Sequence, residues 1–124
     1  MAQSPAHMVR EFHHVFGLRI ADQVGFNLDL PLRTALLHEE YHESLVAGQQ
    51  QDIVEYADAL ADMVYVIYGT ALSFGIDLDA VLTEVHRSNM SKLGDDGMPL
   101  YKPNGKVAKG PLFSKPDIAQ VLGI

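Results

Sequence analysis

Up to Gly94 the hydrophobic and polar positions of this chain repeat with helical rather than strand periodicity. In residues 5–16, Val9, Phe12, His13 and Phe16 recur at helical spacing, which predicts a short first helix. Residues 17–29 lose the pattern, contain Gly17 and Gly25, and are expected to form a loop. Asp29 followed by Pro31 is a start signal for a second helix, a cap acceptor and then a residue suited to the first turn. That helix runs to about Ala47, with Gly48 as its expected stop. Asp52-x-x-Glu55 has the form of a capping box, with Asp in place of Ser or Thr. A third helix follows through Ala57, Leu60, Ala61, Val64, Ile67, Tyr68, Ala71 and Leu72 to a stop at Gly75. Asp77 is expected to cap a fourth, from about Leu78 to Lys92.

Beyond Gly94 the periodicity ends. Residues 94–116 carry Gly97, Gly105, Gly110, Pro99, Pro103, Pro111 and Pro116, which predicts an ordered loop or short hairpin, then a final helical turn at 117–122. The expected class is all-α: one domain, 1–124, with four helices antiparallel in sequence order and an irregular Gly/Pro-rich C-terminal tail.

At about 100° per residue, Leu32, Leu36, Glu39, Glu43 and Val46 fall on one stripe of the second helix, with Glu40 beside it. Leu37, Tyr41 and Leu45 form a second apolar stripe on the opposite side. A helix apolar on two sides in so short a chain predicts that a second subunit covers one of them, as a homodimer or homotetramer. On the third helix Asp58, Asp62, Tyr65 and Gly69 share a stripe, so an antiparallel neighbour would set Asp58 and Asp62 opposite Glu39, Glu40 and Glu43. Burying so much like charge is prohibitive unless a cation compensates it. Carboxylates at this density, in a chain with no Cys, suit a hard divalent ion: Mg²⁺, with Mn²⁺ as a substitute. Glu55 faces roughly the same way, but its capping-box position is explanation enough. Tyr65 either packs in the core or stacks on a flat ligand.

Charge changes the picture further. The net charge of −7 argues against a general nucleic-acid binder. Thirteen of the sixteen acids precede Arg87, whereas six of the nine basic residues (Arg87, Lys92, Lys102, Lys106, Lys109, Lys115) lie from there onward. Carboxylates for a metal and cations for phosphates suit a metal–polyphosphate ligand, and a solvated charge asymmetry would look the same. On the fourth helix Leu78, Val81, Leu82, Val85, Asn89 and Lys92 share a stripe whose last turn aims an amide and an ammonium the same way. The helix macrodipole alone would favour Lys92 there. Arg87 lies on the opposite face, toward a neighbouring subunit or solvent. Tyr101, Lys102, Lys106 and Lys109 in the tail are candidates to close over phosphates. No apolar run is long enough to span a bilayer and the N-terminus is not signal-like, so a cytoplasmic protein without a membrane partner is expected.

Glu39-Glu40-x-x-Glu43, followed by an acidic helix ending Asp62-Met63-Val64-Tyr65, resembles the all-α nucleoside triphosphate pyrophosphohydrolases. This is the MazG-like superfamily, which includes phosphoribosyl-ATP pyrophosphohydrolase and the dimeric dUTPases. Val9-Arg10-Glu11-Phe12-His13, Ala57-Asp58-Ala59-Leu60-Ala61-Asp62, Tyr68-Gly69-Thr70-Ala71 and Val85-His86-Arg87-Ser88-Asn89-Met90-Ser91-Lys92 resemble one small branch of it. The likeness continues through Gly105-Lys106-Val107 and Lys109-Gly110-Pro111, and so spans roughly residues 8–117. The chain departs from the family at one place. The second motif is usually Glu-x-x-Asp before an apolar-apolar-aromatic run; anchoring on Met63-Val64-Tyr65 selects Asp62 but puts Ala59 where the Glu belongs. Anchoring on the acids instead selects Glu55 and Asp58. Asp62 with Asp58 replacing the missing Glu is preferred, since i and i+4 share a face.

The resemblance implies hydrolysis of a nucleoside triphosphate between its α and β phosphates, giving a monophosphate and pyrophosphate in nucleotide-pool house-cleaning. Glu39, Glu40, Glu43, Asp58 and Asp62 would then hold two or more Mg²⁺, and Glu39 or Glu40 is the better guess for the base. Asn89, Lys92, Tyr65, Lys106 and Lys109 would bind the substrate. Base and sugar stay open, with phosphoribosyl-ATP disfavoured by the different tail. Two other readings compete. Glu11-x-x-His14 and Glu39-x-x-His42 match the paired motifs of di-iron carboxylate bundles. The loss of an acid at Ala59 would also fit a non-catalytic nucleotide- or metal-binding regulator.

Overall fold

The computed structural model describes residues 3–124. Five helices account for its regular structure: α1 (Pro5–Val15), α2 (Leu30–Gln49), α3 (Ile53–Ser73), α4 (Leu78–Met90) and α5 (Ile118–Leu122). The chain divides into two compact units, one ending at Asp77 and the other starting at Leu78.

In the first unit, α2 and α3 form an antiparallel hairpin, and α1 packs on α3. Local chemistry sets the ends. Ser4 accepts a hydrogen bond from the His7 amide to open α1, and Asp52 accepts one from the Glu55 amide at 3.1 Å to open α3. The α3 stop is a Schellman turn: Gly75 at φ +70°, with the Ile76 amide donating to the Ala71 carbonyl and the Gly75 amide to that of Leu72. Two expectations fail at the ends of α2. Asp29 makes no side-chain cap because its carboxylate is held by Arg19, Nε to Oδ2 at 2.8 Å. Gly48 does not stop the helix, which runs on to Gln49 and reverses through Gln51 in the left-handed region at φ +54°.

The predicted α2 stripe is one residue out of place. Its inward line is Arg33, Leu37, Glu40, Ser44 and Ala47, while Leu32, Glu39, Glu43 and Val46 are exposed. Apolar residues surround α2 on nearly every side, so hydrophobicity alone does not select a face. The facing line on α3 is Ala59, Asp62, Val66, Gly69 and Ser73, all small or polar but one. Small side chains bring the two backbones close, and that brings polar groups at the same line into contact. Gly69 shows how close: a Cβ there would lie 2.5 Å from Arg33 Nη2 and 2.7 Å from His13 Nε2. Gly69→Ala is therefore expected to destabilise the protein by about 1–3 kcal/mol through overpacking. Urea unfolding of the variant with an unchanged midpoint would contradict this.

His13 itself is 2% exposed, and its Nδ1 bonds the Arg19 carbonyl at 2.9 Å. Burial holds its imidazole below its usual pKa, and the neighbouring Arg33 adds to that, so the ring is neutral. Its role is packing. The loop 17–29 is pinned back onto the end of α3 through Ala21, Gly25 and Asn27, which donate to Leu72, Phe74 and Ser73 carbonyls.

In the second unit, α4 packs on α5, and between them the tail forms the anticipated short hairpin. Tyr101 pairs with Val107, and the Lys102 amide donates to the Lys106 carbonyl at 2.8 Å. The final helical turn expected at 117–122 is α5, capped by Asp117. Arg87 is exposed and bound to its own chain. Its guanidinium grips Glu84 twice, at 2.7 and 2.9 Å, and donates to the Lys115 carbonyl, while Glu84 also accepts from the Asp117 amide. These donors, Arg87 first, hold the Glu84 carboxyl down at about 2. Arg87→Met should free this segment, and hydrogen exchange of the Asp117 amide should quicken roughly tenfold. An unchanged rate would reduce the pair to an ordinary surface ion pair.

Candidate metal centre

Midway along the α2–α3 hairpin, Glu40 and Glu43 from α2 meet Asp62 from α3, with one carboxylate oxygen of each within 4.8 Å of the others. Glu40 lies on the inward line, Glu43 one turn on at the rim, and Asp62 directly across. The two helices place them there because Glu40 and Asp62 lie equally far from the Gln50–Asp52 turn.

The electrostatics of the trio are unfavourable as they stand. Oε2 of Glu40 is shielded from solvent and has no hydrogen-bond partner. Burial first, then the charge of Asp62, a hydrogen bond shared with the Glu43 carboxyl and the charges of Glu43 and Glu39, push the Glu40 carboxyl up to about 7. Asp62 is raised for the same reason, by burial and then by Asp58 and Glu43. A buried oxygen lacking any donor, among acids that raise one another's pKa, calls for positive charge. An all-oxygen donor set of three carboxylates fits a hard divalent cation.

The other candidates are placed differently. Glu39, Asp58 and Glu55 are exposed beside the trio's helices and outside it, and Glu55 serves the α3 cap through its amide. Ala59, at 2% exposure, fills the inward line beside Asp62 with a methyl group. Asp58 is felt by Asp62 without replacing a ligand at that inward point. Tyr65 meets Phe12 of α1 edge-on at 5.5 Å between centroids, and Phe12 in turn lies 4.5 Å from Phe16. In the second unit Asn89 is exposed, the Lys92 carbonyl accepts from Gly110, and Lys106 is part of the hairpin turn. Lys109 Nζ sits 4.7 Å over the Phe113 ring. The di-iron arrangement does not form: Glu11, His14, Glu39 and His42 are exposed, and the carboxylate grouping includes no histidine. Sequence reasoning missed Arg33 as an inward residue. Its signal was the seven-residue step to Glu40, which puts both on one face.

The protein is all-helical and brings three carboxylates together on a helical hairpin, and the comparisons place it in a family. The family model for phosphoribosyl-ATP pyrophosphohydrolase matches residues 9–89, and the chain belongs to that family. An uncharacterised protein of Acanthamoeba polyphaga mimivirus is 33% identical over 78 residues, which is 63% of this chain and 29% of that protein. The chain thus spans under a third of that curated relative. A candidate NTP pyrophosphohydrolase from Exiguobacterium sp. 255-15, known from its crystal structure, is similar over 98% of this chain and 94% of its own, at 25% identity and a TM-score of 0.50. No single helix among the described residues is long and apolar enough to cross a membrane.

Proposed function

We propose that the protein hydrolyses a nucleoside triphosphate at the α–β phosphoanhydride, releasing a nucleoside monophosphate and pyrophosphate, with Mg²⁺ as its ion and Mn²⁺ as a substitute. The observation that carries this reading is the convergence of Glu40, Glu43 and Asp62 around the partnerless Oε2 of Glu40. Glu40, Glu43 and Asp62 hold the ion, with Glu39 and Asp58 at the rim to orient its water shell. When bound, the ion neutralises charge on the phosphate oxygens and acidifies a water. Glu39 or Glu40 is proposed to take that water's proton. Asn89, Lys92, Lys106 and Lys109 are proposed to bind phosphates on the strength of their charge and hydrogen-bonding groups, and Tyr65, with Phe12 beside it, to bound the base.

The working form is a homodimer or homotetramer in the cytoplasm, acting on free nucleotides in pool house-cleaning. Exposed apolar residues along α2, Leu32 at 57% and Leu45 at 48%, support a covering subunit. The test is a pyrophosphate-release screen of the purified protein over canonical, deoxy and modified nucleoside triphosphates with Mg²⁺, Mn²⁺ or EDTA. Metal-dependent release from at least one nucleotide is expected. No release from any of them would leave the second reading, a nucleotide- or metal-binding regulator, which Ala59 in place of an inward acid favours.

A further inference from the structure

Arg33 is 7% exposed and feels the charge of Asp29, whose carboxylate is paired with Arg19 rather than with it. Its guanidinium is spent on α3 instead. Nε donates to Thr70 Oγ1 at 3.1 Å, Nη2 donates to the Val66 carbonyl at 2.9 Å, and Thr70 Oγ1 donates to that same carbonyl at 2.7 Å. Gly69 leaves the space in which this happens, since a Cβ there would meet the guanidinium. Burying a charge is itself costly, and without Arg33 the Val66 carbonyl would still accept from Thr70, so stability alone is a weak reason for an arginine here.

Its position supplies a stronger one. The α2–α3 hairpin is closed at one end by the turn at Gln50–Asp52. The Arg33 contacts lie toward the other end, seven residues before Glu40, or about 10.5 Å along the helix. The mutually repelling carboxylates stand between these two closures. Around them the facing lines carry the short side chains Ser44, Ala47 and Ala59, with Leu37 and Val66 on the side toward Arg33. We propose that Arg33 is a positioning residue: together with the Asn27–Ser73 bond beyond it, it clasps the end of the hairpin away from the turn and so holds Glu40 and Glu43 against Asp62. The link to metal binding rests on the function proposed above; the clasp itself does not.

The chain has no cysteine, so spin labels can be placed cleanly at exposed Ala35→Cys on α2 and Ile67→Cys on α3. Double electron–electron resonance on the labelled full chain reads the opening of the hairpin. Mn²⁺ titration followed by its electron paramagnetic resonance signal reads the site. In Arg33→Met the label distance should lengthen or its distribution broaden markedly, and Mn²⁺ should bind about tenfold more weakly, with helix content and urea midpoint near those of the parent. Arg33→Lys, which keeps one donor, should recover part of both. Parent-like distances together with parent-like Mn²⁺ affinity in folded Arg33→Met would overturn the proposal. Should Arg33→Met not fold, Thr70→Val, which removes the Nε acceptor, must show the same two changes to a lesser degree, and their absence overturns it equally. A parent protein that binds no Mn²⁺ would refute the metal reading, and the label distances would still decide the clasp.

Discussion

Glu40→Gln is expected to abolish nucleotide turnover and, in the metal-free protein at pH 8, to raise thermal stability. Both effects follow from one position. Glu40 supplies the most enclosed oxygen of the trio, and an amide there offers a neutral, weaker ligand in its place. Turnover should fall by about a hundred- to a thousandfold or more, the lower range being the scale seen when one electrostatic contributor is removed. Glu43→Gln should also abolish turnover, with helix content intact in both. The stability gain has the opposite origin. With the Glu40 carboxyl near 7 when folded and near 4.5 when unfolded, ionising it at pH 8 opposes folding. Discounted for the partial exposure of the residue, the relief is about 1–2 kcal/mol, or a few degrees in Tm. Retained turnover in a folded Glu40→Gln protein would remove the basis of the proposed site. A variant less stable than its parent at pH 8 without metal would show that the trio is not strained by its own charge.

The second large effect couples metal to pH. Because Glu40 must lose its proton to bind an ion, proton and metal compete below about pH 7. Apparent Mg²⁺ or Mn²⁺ affinity should be about tenfold weaker at pH 6 than at pH 8, and the stabilisation by a given metal concentration smaller by up to about 1.4 kcal/mol. Thermal unfolding with and without metal at the two pH values measures this directly. The direction in the metal-free protein is distinct: an acid with a raised folded pKa lowers stability as pH rises from about 4.5 to 7. His13 acts oppositely, since its depressed pKa gives stability that is present above 6.5 and lost on acidification. Comparing Glu40→Gln with its parent at each pH isolates the Glu40 contribution. Metal stabilisation that is equal at pH 6 and pH 8 would place the ion away from Glu40.

Much of the fold is written locally. The Asp52 capping box, the Gly75 stop, Pro31 in the first turn of α2 and the Gly/Pro run of the tail each work through the backbone within a few residues of themselves, and local signals of this kind survive folding unchanged. Asp29 and Gly48 show the limit. Arg19, ten residues away, takes the Asp29 carboxylate, and α2 continues past Gly48 into a turn that Gln51 makes instead. The local preference was real in both cases and a tertiary contact or neighbouring turn prevailed.

The sequence by itself determined that the protein is helical, that its acids concentrate on two consecutive helices, and that both acid groups fall near the middle of those helices, because spacing and charge are properties of the chain. Only the tertiary structure decided which face of α2 turns inward. Apolar side chains surround that helix, so the choice fell to the small residues of α3, whose close approach admits Arg33 and Glu40 and leaves Glu39 outside. The same packing put Asp62 rather than Asp58 into the trio, and turned Arg33 from an unnoticed surface charge into a buried contact between the helices.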